Sequence, residues 1–591
     1  MISIEDLYRY PIKGFLAKPM SFAELKAGEG IPGDRGIALG TGTLDVAPDG
    51  DWVACQAFQR MSIRPDLTVF KLETSEIGAR VVNPQGQSAI ITSDSTVLTE
   101  LSDSFEKDLK LYHRRQGCGY WDHEDAALSI INLATIEDIA QTLGIPVDPL
   151  QFRANIYVRA EPWVEFQWLG RALETDEITL DIIRPIDRCK TTSVDVKTGK
   201  SEVNMPAALQ QFFGHMYCGV YASVRKGGQL RRGAAARVSS STETMRVQKA
   251  VGVATAPKLT SWPRPARISD VQHETHDTTS FWLEDSLGAL DASQIAQPGQ
   301  YIRLHDLAGG HTWRSYTVSA IRKGQLRITV KCDTGLGSQA VHRLKFNDIV
   351  TISGPFGDAT LRDECEAFHF VSAGIGITPS IAKLTALAEK RDRRPIVVTH
   401  VAKSQNDLVL WGDVTQAAGK LPNVDLRLHL TREADLPKGA VSVRPDVKAL
   451  IAEAKATLAD LHICGPTGFV AQFEREIEDV DVPRERVSID RFTSPGVAMQ
   501  MRDISPSPPI TVTLQKSKIS AEWRPEDGTL LEFIESLGIV TPAHCRAGIC
   551  KSCQCNIASG SAQRLTGSPG DDTQRTLICS SVPSGALVLD I

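Results

Sequence analysis

The sequence predicts a multidomain chain: a β-rich N-terminal region, an antiparallel β-barrel, a doubly wound α/β domain and a small C-terminal α+β domain. Three observations predict it. The 591 residues exceed what one hydrophobic core can serve, so three or more domains are expected. The apolar pattern changes along the chain, from short β-rich runs, to alternating strands, to a strand–helix rhythm. Four of the twelve cysteines crowd into residues 545–555, and without a secretion signal such clustering favours metal ligation over disulfides.

Composition narrows the class. Apolar residues make up 42% and charged residues 23%, and the net charge of −6 gives no sign of nucleic-acid binding. No apolar run approaches the ~18 residues of a membrane span. The N-terminus, MISIEDLYRYPIKG, has early acidic residues and no apolar signal core. The expected location is cytoplasmic, with neither membrane nor nucleic acid as partner.

Residues 1–225 carry β-rich runs such as ISIEDLYRY, LSIINLA, ANIYVRA and EITLDIIRP. Residues 226–262, rich in Gly, Ala, Ser, Thr and basic residues, read as a linker. The runs ARISDVQ, TSFWLED, YIRLHD, SYTVSA, LRITVKC and DIVTISG place a barrel over 263–362. FHFVSA, PIVVTHV and LHICG, each followed by a helical stretch, place a parallel sheet over 363–492. A Pro- and Ser-containing linker spans 493–508, and a last domain spans 509–591.

The cysteine cluster carries the most specific chemistry. CRAGICKSC gives Cys545, Cys550 and Cys553 in C-x4-C-x2-C spacing, and Cys579 follows. Two irons need four soft thiolates, and this is the plant-type [2Fe–2S] spacing. Zinc sites show paired C-x-x-C knuckles instead, while here one triplet stands with a distant fourth. Cys555 fits no ligand slot and reads as a packed thiol. The segment 509–591 resembles plant-type ferredoxin domains of the β-grasp fold, as found at the C-terminus of oxygenase reductases.

The middle of the chain reads as a flavin and nicotinamide module. Arg314, Ser315, Tyr316 and Thr317 open a strand as R-S-Y-T. Arginine offers a donor fork to a phosphate, and tyrosine a flat face to an isoalloxazine ring. Gly335, Gly337 and Ser338 open a helix whose N–H groups suit a phosphate. After a strand come Gly374 and Gly376, then Thr378 and Pro379, a turn where backbone can approach a pyrophosphate. Cys464 and Gly465, in CGPTG, end another strand on the same rim. Each glycine alone is an ordinary turn residue; it is their order that resembles the ferredoxin-reductase-like superfamily. FAD and FMN both remain open, as do NADH and NADPH, although Lys403 and Arg432 are candidates for a 2′-phosphate.

The first 225 residues contain YRYPIKG, GDRG, SIINLATIEDI, FRANIYV and IDRCKTTSVDVKTGK. This set resembles the MOSC domain with its N-terminal β-barrel companion, the family that includes the amidoxime-reducing component. Arg188 to Gly199, R-C-x-x-T-x-x-D-x-x-T-G, is its most specific part. Cys189 lies between Arg188 and Lys190, and flanking cations favour thiolate. The resemblance implies that Cys189 binds molybdenum. It also implies molybdopterin contacts from Lys13, Arg35, Arg153, Asn155, Asn132 and Thr135, with Asn132 standing where relatives often carry serine.

Taken together, the resemblances imply a molybdenum oxidoreductase. A pyridine nucleotide would supply electrons, flavin and [2Fe–2S] would relay them, and a molybdopterin site would reduce N-hydroxylated compounds without an obligatory redox partner. Two other functions compete: electron supply to a separate oxygenase, and sulfur carriage by the MOSC domain. A non-catalytic redox sensor is a third.

Overall fold

The structure, a computed structural model, describes residues 2–41, 58–62, 64–75, 78–82, 88–91, 109–114, 127–201, 203–239, 261–288, 296–307, 312–322, 324–333, 335–357, 360–480, 482–491, 508–537, 539, 541, 553–565 and 574–591. The chain divides into two compact units. One comprises Met1–Glu243 with Val497–Ile591, and the other Thr244–Gly496.

The first unit is built on a closed seven-stranded barrel. Ile156–Arg159, Leu128–Asn132, Tyr217–Lys226, Thr179–Asp187, Ala172–Glu174, Ala235–Val238 and Ile2–Arg9 pair in that order, and Ile2–Arg9 pairs back onto Ile156–Arg159. Alternation in the first strand buries Ile2 and Ile4, then slips by one at a bulge before Asp6 so that Leu7 is buried. Leu128–Asn132 is buried along its whole length, with Leu128, Ile130 and Ile131 packed in the core and the Ser129 hydroxyl satisfied by Asn155 Oδ1. Asn132 then caps the helix Leu133–Leu143, and Gly144 ends it in the left-handed conformation at φ 66°.

The expected linker starts later than residue 226. Gly228–Arg231 pairs with Phe22–Leu25, and Ala235–Val238 joins the barrel between Ala172–Glu174 and Ile2–Arg9. The segment's Gly, Ala and Arg content looks like a linker. Pairing with strands some 200 residues away in sequence is a tertiary matter, and local composition does not report it.

The C-terminal module of the same unit is a mixed sheet ordered Ile519–Trp523, Ile510–Leu514, Leu587–Leu589, Gln554–Ser559, Arg575–Leu577. Ile510–Leu514 runs parallel to Leu587–Leu589 and antiparallel to Ile519–Trp523. The helix Leu530–Ser536 buries Leu530, Leu531, Phe533 and Ile534 in a core shared with Val512, Leu514, Trp523, Leu587 and Leu589.

The second unit contains a closed six-stranded antiparallel barrel and a six-stranded parallel sheet. All six runs read from the sequence as barrel strands are barrel strands. Their inward residues, including Phe281, Leu283, Ile302, Leu304, Ile328 and Ile352, form one core. The parallel sheet is ordered Ala440–Val441, Val424–Leu430, Ile396–Ala402, Ala367–Ala373, Ala459–Gly465, Val487–Arg491. The order reverses beside Ala367–Ala373, the switch point at which open α/β sheets bind ligands.

Candidate functional site

Cys189 is exposed and stands at the entrance of the tight turn Lys190–Ser193. The residues of its motif build that turn. Thr192 Oγ1 donates to the Cys189 carbonyl at 2.9 Å. Asp195 Oδ1 accepts from the backbone N–H groups of Lys197 and Thr198 at 2.9 and 2.7 Å, which holds its carboxyl below the usual range. Gly199 follows at φ 69°, where a Cβ would press on the Pro65 carbonyl and the Thr68 hydroxyl at 3.3 Å. Arg188 departs from expectation. Its guanidinium is buried and donates to the carbonyls of Cys218 and Phe152, so it anchors the segment as well as carrying charge next to Cys189 in sequence.

That anchor joins two parts of the site. Phe152 ends the turn Pro149–Phe152, which packs on Lys190–Ser193, and the next residue is Arg153 at φ 54°. The guanidiniums of Arg153 and Arg35 lie 4.4 and 4.5 Å from the centre of the Tyr10 ring. Arg35 is also held by Asp34 at 2.6 Å and by the Arg153 carbonyl at 2.7 Å. Arg153 donates through Nη1 to the Phe15 carbonyl at 2.8 Å, while its Nη2 is buried with no hydrogen-bond partner among the described residues. Burial, with Arg35 adding to it, lowers the Arg153 pKa to about 10. A buried guanidinium with an unused N–H suits an anionic or carbonyl-rich group, because leaving such a donor unmatched costs ~1–3 kcal/mol. Lys13 is buried, and its sequence neighbours Ile12 and Phe15 belong to a hydrophobic core with Leu39, Met61 and Val194.

The other three sequence candidates sit deeper. Asn155 is fully buried; its Oδ1 accepts from Ser129 at 3.0 Å and its Nδ2 donates to the Tyr8 carbonyl at 3.2 Å. Asn132 and Thr135 are fully buried and both donate to Glu165 Oε2, at 3.2 and 3.1 Å. The described geometry therefore brings Arg153 and Arg35 together at Tyr10, packs the Cys189 turn on the turn that leads into Arg153, and spends Asn132, Thr135 and Asn155 on internal bonds. Sequence reasoning missed Tyr10 and Glu165. Tyr10 lay within the quoted YRYPIKG, whereas Glu165 gave no local signal. Burial raises the Glu165 pKa to about 7, since only two side-chain donors and backbone N–H groups offset its desolvation.

In the C-terminal module, Cys553 and Cys579 are buried with sulfurs 3.0 Å apart. That is well beyond a disulfide bond of about 2.05 Å. Cys553 directly precedes the strand Gln554–Ser559, and Cys579 sits in the turn Ile578–Ser580. Two thiols converging without bonding fit a shared metal centre. Cys545 and Cys550 lie outside the described residues, as do Cys55 and Cys118. Cys555 is buried, with its thiol pushed up to about 11 by desolvation, as a packed thiol should be.

In the second unit, Thr312–Arg322 carries Arg314, Ser315, Tyr316 and Thr317, which pair with Leu304, Arg303, Ile302 and Tyr301. Burial raises the Tyr316 pKa, keeping its hydroxyl a neutral donor. Gly337 lets the helix Leu336–Val341 lie on Arg314, since a Cβ there would meet Arg314 Cγ at 2.8 Å. The helix start is already engaged: Asp333 Oδ1 accepts from Gly335 N at 2.8 Å and from the Ser338 hydroxyl. A carboxylate thus takes the place expected for a phosphate, which leaves Arg314 as the cation of the R-S-Y-T run.

Ala367–Ala373 leads into the turn Gly374–Gly376 and then the helix Ile377–Lys390. Gly374 stands at φ 54°. A Cβ on Gly376 would lie 2.3 Å from the Cys464 carbonyl oxygen, so the two glycine-bearing rims touch through backbone. Thr378 is buried and donates to the Ile375 carbonyl at 3.2 Å. Pro379 occupies the third helical position rather than the first; its missing N–H still falls in the turn that lacks intrahelical acceptors. Cys464 is buried and its thiol pKa is raised by desolvation, so it packs as a neutral group under Gly465. At the same sheet end, Arg432 N donates to the Lys403 carbonyl at 2.8 Å, so the backbones of these two exposed residues are adjacent.

Family models match four segments in order: MOSC domain, residues 115–237; oxidoreductase FAD-binding domain, 265–361; oxidoreductase NAD-binding domain, 370–475; and 2Fe-2S iron-sulfur cluster binding domain, 512–584. The chain is 30% identical over 342 residues to an NADPH oxidoreductase of Mycobacterium tuberculosis, covering 55% of this chain and 83% of that protein. It is 26% identical over 330 residues to the NADH oxidoreductase HCR of Escherichia coli, covering 54% of this chain and 96% of that one. The structure of phthalate dioxygenase reductase is similar at 22% identity and a TM-score of 0.33, covering 55% of this chain and 97% of that one. No described helix is long and apolar enough to cross a membrane.

Proposed function

The chain belongs to the NAD(P)H-dependent oxidoreductases that join FAD- and NAD-binding domains to a 2Fe–2S domain, and it carries a MOSC domain ahead of them; from that premise we propose that it is a molybdenum oxidoreductase reducing N-hydroxylated compounds. The observation that carries the proposal is the exposed Cys189 in a turn packed on Pro149–Phe152, which leads into Arg153, whose Nη2 is buried with no hydrogen-bond partner among the described residues. Cys189 would hold molybdenum as a thiolate. Arg153, with Arg35 and Lys13, would hold the pterin's phosphate and polar edge. Asn132, Thr135 and Asn155 would act one layer back, fixing the strands that carry these groups.

When bound, the cofactors supply the redox chemistry: flavin turns a hydride into single electrons, the cluster relays them, and molybdenum accepts them. Residues of the chain position these groups. Cys553 and Cys579, with Cys545 and Cys550, would ligate the cluster. Arg314, Ser315, Tyr316 and Thr317 would meet the flavin, with Gly337 and Ser338 shaping the turn beside it. Gly374, Gly376, Thr378, Cys464 and Gly465 would form the nucleotide rim, where Gly376 and Gly465 let the turns close on each other and the open space beside Gly374 would admit a nicotinamide dinucleotide. Overall, NAD(P)H gives a hydride and solvent a proton, the substrate N–O bond breaks, and amine or amidine leaves with water. Having donor and acceptor modules in one chain raises the effective concentration of each for the other.

The test is NADH- and NADPH-driven reduction of benzamidoxime by the purified protein under anaerobic conditions, after metal analysis. Wild type is expected to contain molybdenum and to turn over. Cys189→Ala is expected to lose more than ~100-fold in amidoxime reduction while still reducing a dye acceptor. Brisk dye reduction with no molybdenum and untouched benzamidoxime would overturn the proposal in favour of electron supply to a separate oxygenase.

A further inference from the structure

Within the first unit and among the described residues, one hydrogen bond spans the MOSC and iron–sulfur modules: Asn204 Nδ2 donates to Glu532 Oε1 at 2.9 Å. Its two ends are anchored on the two cysteine turns. Asn204 caps the helix Met205–Phe213, accepting from Ala207 N at 3.2 Å, and the next backbone N–H, of Met205, donates to Ser193 Oγ at 3.0 Å. Ser193 closes the turn that begins at Cys189. On the other side, Glu532 lies in the helix Leu530–Ser536, which packs on the turn Ile578–Ser580 carrying Cys579. Its second oxygen accepts from Thr529 N at 2.8 Å, so the carboxylate both caps its own helix and reaches the partner module.

We propose that Asn204 and Glu532 are positioning residues that seat the iron–sulfur module on the MOSC module with the Cys579 turn connected to the Cys189 turn. The inference rests on the function proposed above, since it assigns the seat used when one electron at a time passes from the cluster side to the MOSC side, with NAD(P)H as the source. A charge-assisted bond from an amide to a carboxylate suits a seat between modules, because it is directional and fixes their register.

Asn204→Asp separates this role from folding. Aspartate keeps the helix-capping oxygen, as asparagine and aspartate cap equally well. It removes the donor and sets a carboxylate against Glu532, and like charges facing each other at an interface are strongly unfavourable. NAD(P)H-driven benzamidoxime reduction is expected to fall about tenfold. Dye reduction by NAD(P)H, and benzamidoxime reduction by reduced methyl viologen, should stay at wild-type rates. Adding Glu532→Gln to Asn204→Asp restores a donor–acceptor pair and should recover the rate. Asn204→Ser, which keeps the cap without a charge, should show a smaller loss.

Hydrogen exchange across residues 203–213 in the full-length protein gives a readout independent of activity. Protection there should drop in Asn204→Asp and return in the double variant. Wild-type rates and unchanged exchange in Asn204→Asp would overturn the proposed seat. If wild type reduces benzamidoxime with neither NAD(P)H nor viologen, the functional proposal fails, and the exchange data alone then support or overturn the seat.

Discussion

The MOSC site and the nucleotide rim solve the same problem, binding a polar phosphorylated cofactor, with opposite materials. The first uses buried charge: two guanidiniums lie 4.4 and 4.5 Å from the Tyr10 ring centre, one with a donor unmatched among the described residues. The second uses absent side chains: without a Cβ, Gly376 packs directly on the Cys464 carbonyl oxygen, which would lie 2.3 Å from that atom, and Gly374 turns at φ 54° with open space beside it. Buried charge gives affinity and orientation but must be desolvated and held by neighbours such as Asp34 and the Phe15 carbonyl. Bare backbone costs less to desolvate than a charge, yet it tolerates no added atom. The two sites should therefore fail in different ways.

The largest effect should come from crowding the bare rim. Gly376→Ala drives a methyl into the Cys464 backbone and shifts the turn that must face the nucleotide. kcat/KM for NAD(P)H in dye reduction should drop about 100-fold, a loss typical of a ~1 Å misplacement. Viologen-driven benzamidoxime reduction should be unaffected. Equal loss in both assays would mean that the rim is not a nucleotide site but a general stability element.

Removing charge at the MOSC site should cost less and spare the other half of the chain. Arg153→Met keeps much of the bulk and loses the guanidinium. Molybdenum content after gel filtration should fall about tenfold, the expected loss for one charged hydrogen-bonding group. Unaltered molybdenum content would remove Arg153 from the site. NAD(P)H-driven dye reduction serves as the internal control.

The smallest effect concerns the layer behind that site. Glu165 has a folded-state pKa raised to about 7 from an ordinary 4.5, with burial as the main cause. A raised pKa means that the folded protein holds the proton more tightly than the unfolded chain. The stability it contributes is full below about pH 4.5 and is lost as pH rises through about 7. Glu165→Gln mimics the protonated form. Its Tm should exceed that of wild type by about 5 °C at pH 8 and match it near pH 5 in differential scanning calorimetry. A constant difference across that range would show that the carboxyl does not titrate in the core.

How much was legible varied with how local the signal was. The six barrel strands could be read because alternation of period two repeats within each run, as in Thr278–Asp285. The cysteine spacing and the R-C-x-x-T-x-x-D-x-x-T-G run could be read for the same reason: turn chemistry and ligand spacing are written in consecutive residues. Thr192, Asp195 and Gly199 all serve the turn at Cys189. Polar residues beside strands were harder. Asn132, Thr135 and Asn155 match a cofactor-binding pattern, yet the chain uses their polar atoms to satisfy one another's surroundings in the core.

The sequence by itself determined the order of modules, the strand and helix types, the metal-ligand spacing and the glycines at the turns, because each depends on neighbours within a few residues. Only the tertiary structure decided that Ala235–Val238 belongs to the first barrel, that Tyr10 sits between Arg35 and Arg153, that Glu165 takes the Asn132 and Thr135 donors, and that Asn204 meets Glu532. Those pairings join residues from about 25 to more than 300 positions apart. Side-chain chemistry permits each of them, but only the folded chain's geometry selects it from the many others that the same chemistry would allow.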